Sequence, residues 1–262
     1  MSIMKPEYVQ GKNLLAGKSV LITAAAGAGI GYAAAKRALE EGCRSIMISD
    51  IHEGRTNKSV EQLKTETNHD AVYGQVCDVT KEDQVQNLID EAEKKLDGVD
   101  ILINNAGLGT SKSLIEMEDE EWDMVLNVTL NGTMRMTRAV LKRMRQREQG
   151  VIVNNSSVLG WRAQKEQSHY AAAKAGVMAL TRCVALEAAE FGIRINAVAP
   201  SLAVHPFLKK SAPAELLAKL ESQEAYGRGA EVWEVANVIM FLASDYASYM
   251  TGEIVSCSSQ QS

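Results

Sequence analysis

The chain has 262 residues, 46% of them hydrophobic and 23% charged, with a formal net charge of -5. A length near ~250 suits one α/β domain, and a chain this long buries enough apolar surface to fold without staples. The acidic balance disfavours nucleic acid or an anionic membrane as partner, since both reward basic patches, and no stretch approaches the ~20 apolar residues of a membrane span.

The segment 1–17 carries Lys5, Glu7 and Lys12 and has no long apolar run, so it does not read as a signal peptide. Cys43, Cys77, Cys183 and Cys257 form no Cys-x-x-Cys pair and no Cys/His cluster with zinc spacing. They read as small core residues in a reducing compartment, so a cytoplasmic protein without a metal is expected.

A first strand is expected at 19–23. It runs into Ala24-Ala25-Ala26-Gly27-Ala28-Gly29-Ile30-Gly31 and a helix over 31–41. Gly27, Gly29 and Gly31 would let the backbone approach a pyrophosphate, with the helix N-terminus aimed at the anion. A merely tight strand–helix turn is the alternative. The second strand, 45–50, ends on Asp50, placed to accept from adenosine ribose hydroxyls and to repel a 2′-phosphate. This favours NAD over NADP, although Arg55 stands nearby.

A helix over 54–67 leads to a strand at 71–77 and to Asp78-Val79, where Asp78 could accept from an adenine amine. A helix over 81–96 precedes a strand at 99–104. Asn105-Ala106-Gly107 follow and could pack small residues against adenosine, though such corners are also ordinary turn chemistry. One long helix is expected over 119–147, then a strand at 151–155 and the pair Ser156 and Ser157. Ser157 is the candidate to hydrogen-bond a substrate oxygen, with Ser156 its competitor.

A helix over 170–190 begins with Tyr170 and Lys174, which share one face. A phenol with a reference pKa near ~10 is a weak acid–base group at neutral pH, and a neighbouring ammonium lowers that value. The pair therefore suits proton delivery to an alkoxide. Tyr-x-x-x-Lys alone is common in helices. A strand at 193–199, an irregular stretch over 200–229 with a short helical pattern at 213–221, a helix at 231–244 and a strand at 254–257 complete the chain. Several strands are continuously apolar, as in a parallel sheet covered on both faces. Strand–helix alternation gives right-handed crossovers and a single-domain α/β fold, a doubly wound parallel sheet of about seven strands. The 200–229 stretch reads as a substrate lid.

The ordered set of the glycine turn, Asp50, Cys77-Asp78-Val79, Asn104-Asn105-Ala106-Gly107, Ser157 and Tyr170-Ala171-Ala172-Ala173-Lys174 resembles the short-chain dehydrogenase/reductase family. Arg194-Ile195-Asn196-Ala197-Val198-Ala199-Pro200 is similar to its sixth strand and exit. The match runs from about 17 to about 257. The resemblance implies a Rossmann-type fold and an NAD(H)-dependent oxidoreductase acting between a secondary alcohol and a ketone. Tyr170 would be the general acid or base. Ser157 would steady the oxygen, and Lys174 would tune Tyr170 and bind ribose. Further cofactor contacts are implied at Ile30, Val79, Pro200, Ala203 and His205, with a homotetramer formed through the helices at 119–147 and 170–190.

Four places depart from the family pattern. Thr23 lies one residue further from Gly29 than usual, with Ala24 and Ala25 between, so the turn should bulge and Gly27 should take the tight position. Val128-Thr129-Leu130 stands where the family has Val-Asn-Leu. Asn127 is two residues off, so either Thr129 bonds a backbone group or relay water in place of the Asn, or the relay is altered. Ser201 and His205 replace a Gly and a Thr after Pro200. The tail reads Cys257-Ser258-Ser259-Gln260 in place of Val-Asp-Gly-Gly.

Leu202, Ala203, Val204, Pro206, Phe207 and Leu208, with Leu159 and Trp161, suggest an apolar, roomy pocket. Lys209 and Lys210 would meet thioester phosphates or stand solvated. The chain is similar to the branch holding 3-oxoacyl reductases and hydroxyacyl-CoA or steroid-ring-fragment dehydrogenases, and the 23–27 and 128–130 segments resemble bacterial steroid-degradation members. The alternatives are a 3-oxoacyl-carrier-protein reductase and a non-catalytic dinucleotide-binding regulator, since fold alone does not give chemistry.

Overall fold

The computed structural model describes residues 7–205, 208 and 214–259. Pro206, Phe207, Lys209, Lys210 and Pro213, all assigned to the substrate lid from sequence, lie outside the described residues. Seven strands form one parallel sheet: β1 (Ser19–Ile22), β2 (Ser45–Asp50), β3 (Val72–Val76), β4 (Ile101–Asn104), β5 (Gly150–Asn155), β6 (Ile193–Pro200) and β9 (Ile254–Cys257). Their order is β3-β2-β1-β4-β5-β6-β9. All seven strands expected from sequence are present.

The helices are α1 (Ile30–Glu40), α2 (Glu53–Thr67), α3 (Glu82–Leu96), α4 (Asp119–Leu126), α5 (Gly132–Arg147), α6 (Ser168–Ala189), α7 (Ala214–Gln223) and α8 (Val232–Ala243). Successive strand side chains point to opposite faces, so each strand feeds two cores. Val20, Ile22, Ile46, Ile48, Ile101 and Ile103 pack with residues of α1, α2 and α8. Leu21, Met47, Leu102, Ile152 and Ile195 pack with residues of α3, α5 and α6 on the other face. This two-sided burial is why the strands read as unbroken apolar runs, and it gives a Rossmann-type doubly wound domain. Strand order reverses between β1 and β4, and the crevice at such a switch point is where open α/β sheets take ligands.

Three local features differ from the sequence reading. The helix expected over 119–147 is interrupted by a π-helical turn, Asn127–Asn131, in which the Gly132 amide donates to Asn127 O. A Cβ at residue 132 would stand 2.7 Å from Val79 Cγ2, so the turn after the π segment is packed tightly on the third crossover. Helix α6 starts at Ser168, two residues early. A two-stranded parallel pair, β7 (Ala203–Val204) with β8 (Ala230–Glu231), joins the ends of the lid stretch. Two-residue strands are too short to leave a period in the sequence.

Candidate active site

The strand ends β1, β4 and β5 are held in register by side chains. Thr23 Oγ1 accepts from the amides of Asn105 at 2.9 Å and Ala106 at 3.0 Å. Asn105 Nδ2 donates to Ala24 O at 2.9 Å, and Asn105 Oδ1 accepts from Asn155 Nδ2 at 2.9 Å. Beneath them Asn104 donates to Asn154 and Thr137, and Asn154 donates to Thr181. These amides bond one another, two threonines and the backbone, and the network ties the three strand ends together.

The extra residue of the glycine turn is taken up by Ala24, left-handed at φ 49, and by Gly27 at φ 102. The Gly27 amide donates to Ser59 Oγ of α2 at 3.0 Å. A Cβ at residue 31 would stand 2.5 Å from both Ala24 O and Asn105 Nδ2, whereas none placed at 27 or 29 meets anything within 4 Å. Gly31 therefore serves helix–strand packing, and Gly27 and Gly29 leave an open face. Gly29 caps α1 without a side-chain bond and no acid occupies the first turn, so the amides around Ile30 and Gly31 offer a pyrophosphate an anion site. The turn thus fits a dinucleotide.

Asp50 is buried, and Oδ1 accepts from the His52 amide at 3.1 Å and from Arg55 at 3.0 Å. Both bonds fall on Oδ1; Oδ2 has no hydrogen bond among the described residues. Asp78 Oδ1 accepts from Thr80 N and Thr80 Oγ1, a local turn that leads into α3. Val79 is buried with its side chain against Gly132 of α5, so the backbone of 78–79, more than the Val79 side chain, is left for a ligand.

Ser156 and Ser157 separate cleanly. Ser156 Oγ donates to Lys174 O at 2.9 Å and is committed to α6. Ser157 Oγ accepts from Leu159 N at 3.2 Å, and the serine lowers the pKa of the Tyr170 phenol. Lys174 is buried, with Nζ donating to Asn155 O at 2.6 Å and standing 5.5 Å from the Tyr170 ring centroid. Burial pulls the Lys174 pKa down to about 8. Burial also pushes the Tyr170 phenol up to about 12, with Ser157 acting in the opposite direction. The sequence reading expected the ammonium to lower the phenol; in the structure desolvation wins and the free protein holds Tyr170 protonated.

The loop after β4 lies on this pair. A Cβ at residue 107 would be 3.4 Å from Lys174 Nζ, and one at 109 would be 3.0 Å from Tyr170 Cδ2. Thr129, fully buried in the π turn, accepts from Leu108 N at 3.0 Å and donates to Leu108 O at 3.2 Å. Of the two tasks expected of Thr129, it performs the backbone one.

Pro200 ends β6 on the same edge and Ala203 lies in β7. His205 Nδ1 accepts from Leu208 N at 3.3 Å, and burial lowers its pKa. That nitrogen is engaged within the lid. Among the tail residues, Ser259 Oγ donates to Glu224 Oε2 at 2.9 Å.

Sequence reasoning missed Ser59, His169, Thr110 and Glu121. Ser59 and His169 act through partners 32 and 59 positions away, and none of the four carries a motif. Among the described residues no group of three His, Cys, Asp or Glu could hold a metal ion, and no helix is long and apolar enough to cross a membrane. A cavity of about 520 Å³ beside Lys18, Gln149 and Arg194 opens at the opposite edge of the sheet, away from these residues.

The family model described as enoyl-(acyl carrier protein) reductase, one of the short-chain dehydrogenase/reductase models, matches residues 24–259. A (5R,7aS)-5-hydroxy-7a-methyl-1-oxo-2,3,5,6,7,7a-hexahydro-1H-indene-carboxyl-CoA reductase of Mycobacterium tuberculosis is 56% identical over 256 residues, covering 97% of each chain. A 3-oxoacyl-[acyl-carrier-protein] reductase of Thermotoga maritima is 38% identical over 92% of this chain and 96% of its own. The crystal structure of a short chain dehydrogenase from Mycobacterium smegmatis superposes with TM-score 0.88 at 54% identity, covering 99% of each chain.

Proposed function

The chain belongs to the short-chain dehydrogenase/reductase family and is an oxidoreductase, and from that premise we propose that it interconverts a ring ketone and a secondary alcohol with NAD(H), on a coenzyme A thioester of an apolar ring fragment. The observation that carries the chemistry is the meeting of Ser157, Tyr170 and Lys174 at the edge of β5, beside the glycine turn. The substrate class is supported by the 56% identity to a reductase named for an indene-carboxyl-CoA.

A bound nicotinamide dinucleotide supplies or takes up the hydride. Tyr170 gives its proton to the forming alkoxide in reduction and recovers it in oxidation. With its pKa pushed to about 12, the phenol already holds the proton that reduction needs. Ser157 orients the substrate oxygen, and Lys174, charged below about 8, offers its remaining N–H bonds to ribose hydroxyls. The amides of Gly29, Ile30 and Gly31 would hold the pyrophosphate, with Gly27 shaping the turn. Asp50 would hold the adenosine ribose, and Asp78, Val79, Asn105, Ala106 and Gly107 would border the adenosine. Pro200, Ala203 and His205 would border the nicotinamide.

Preference for NAD rests on Asp50, a buried carboxylate that would repel a 2′-phosphate. A cytoplasmic setting is supported by four free cysteines. A homo-oligomer through the helices at 119–147 and 170–190 rests on the family resemblance; Met124 and Leu186 are exposed apolar side chains on them.

A second reading, reduction of 3-oxoacyl groups on a carrier protein, is favoured by the 38% identity to the Thermotoga reductase. The deciding assay compares a bicyclic keto carboxyl-CoA, a linear 3-oxoacyl-CoA and a 3-oxoacyl carrier protein, each with NADH and NADPH. The ring thioester with NADH is expected to give the highest kcat/KM. Turnover confined to the carrier-protein thioester would establish the second reading, and no turnover of any alcohol or ketone would leave only a dinucleotide binder.

A further inference from the structure

We propose that His169 is a positioning residue which, through Thr110 and Glu121, latches the loop after β4 onto the ring of Tyr170. The proposal rests on the reading of Tyr170 as the proton donor.

His169, the residue before Tyr170 in α6, is fully buried. Its Nε2 lies 2.7 Å from Thr110 Oγ1, and Thr110 Oγ1 donates to Glu121 Oε1 at 3.0 Å. A hydroxyl has one proton and a carboxylate only accepts. The Thr110 proton is therefore committed to Glu121, and the hydroxyl can offer His169 only a lone pair. Nε2 must then carry hydrogen and donate. The tautomer is fixed by the loop.

On its other ring nitrogen, Nδ1, His169 has no partner among the described residues, and burial lowers its pKa. Both facts favour the neutral ring. Glu121 is held in turn by Lys112 Nζ at 3.1 Å. The result is a closed chain: loop residues 110 and 112, α4 through Glu121, and α6 through His169.

What the latch holds is the segment that covers Tyr170. Leu108 is fixed by Thr129 on one side of Gly109, and Thr110 is fixed by His169 on the other. Between them Gly109 lies against the ring, so close that an added Cβ would come to 3.0 Å from Cδ2. Gln167 Nε2 to Thr110 O and Ser111 Oγ to Glu166 Oε2 add contacts nearer solvent. The histidine link lies deepest, one residue from the phenol. Thr110 and Glu121 are half-buried and only His169 is fully buried, so losing the histidine removes the one link from Thr110 into the interior, and the loop should lift from the ring.

The test compares His169→Phe, which keeps the ring and removes the donor, His169→Gln, which returns an N–H near the same place, Thr110→Val, and Tyr170→Phe. The bicyclic keto carboxyl-CoA with NADH is the assay pair. NADH affinity is read by fluorescence, and amide hydrogen exchange over 108–112 reads the latch without any substrate. H169F and T110V are expected to lose about tenfold or more in kcat/KM with NADH affinity within about twofold, and to exchange faster over 108–112. H169Q should recover most of both. The double variant H169F/T110V should be no worse than either alone, because both break one link.

Parent-like exchange and turnover in H169F and T110V, with Y170F inactive, would overturn the latch and leave the catalytic reading standing. Parent-like turnover by Y170F would overturn the catalytic reading instead. Should H169F not fold, T110V and H169Q decide the matter. A uniform loss that includes NADH affinity and that Gln does not rescue would mean a structural role only and would overturn the proposal.

Discussion

Lys174 donates its ammonium to Asn155 O at 2.6 Å, the carbonyl of the last residue of β5. The bond crosses from helix to sheet and ends two residues before Ser157, so the lysine that bears on Tyr170 also fixes the strand end that carries the serine. The ammonium is thereby drawn to a neutral carbonyl, and only Ser157 acts against the phenol's desolvation.

That burial has a signed consequence for stability. The pKa of Lys174 falls from 10.5 to about 8 on folding. Between those values the unfolded chain holds a proton that the folded chain has released, so this group makes stability rise with pH across the window. Below about pH 8 the penalty is fully present, at about 3 kcal/mol by ~1.4 kcal/mol per unit. Lys174→Met, which also loses the bond to Asn155, is expected to be more stable than the parent by roughly 1–3 kcal/mol at pH 7. The gap should narrow by pH 10. Urea unfolding at the two pH values reads this, and a variant less stable at pH 7 with no trend would count against it.

Thr129 satisfies both backbone groups of Leu108 from a fully buried position. Thr129→Val keeps the shape and strands both, at a cost of about 2 kcal/mol in unfolding free energy. Thr129→Ser should keep both bonds and most of the stability. Equal losses in the two variants would mean that methyl packing, not the hydroxyl, holds the loop.

The glycines of the turn should behave differently from one another. At Gly31 a Cβ would collide with Ala24 O and Asn105 Nδ2 at 2.5 Å, so Gly31→Ala is expected to lower the unfolding temperature by several degrees and weaken NADH binding at least tenfold. At Gly29 the space is open, so Gly29→Ala should leave the unfolding temperature almost unchanged and weaken only NADH. Calorimetry with fluorescence titration separates the two, and equal thermal losses would refute the division of labour.

The proposed preference for NAD rests on Asp50, which is paired with Arg55 at 3.0 Å. Asp50→Ser removes the carboxylate and frees the guanidinium for a 2′-phosphate. The ratio of kcat/KM for NADH to that for NADPH should fall at least tenfold. A parent enzyme that already prefers NADPH would defeat the assignment.

Much of this was legible in the sequence for one physical reason: strands covered on both faces must be apolar throughout, so β1, β2 and β4 stand out. Gly31, Asp50, Ser157 and Tyr170 lie where strands give way to turns or helices, and their spacing survives in one dimension. The π turn at Asn127–Asn131 did not show, because one inserted residue hardly disturbs a helical period. Nor did the direction of the Tyr170 shift: the neighbouring charge is visible in a sequence, but the depth of burial is not. The link from His169 to Thr110 spans 59 positions between residue types with no motif, and only the folded chain brings them together.

The most direct test is single-turnover reduction of the bicyclic keto carboxyl-CoA with NADH carrying deuterium at the transferable position of nicotinamide C4, in the parent and in Tyr170→Phe. The parent is expected to place that deuterium on the carbinol carbon. Y170F should bind NADH as tightly and transfer about 100-fold more slowly or worse. Transfer by Y170F at the parent rate, or a product free of the label, would contradict the account.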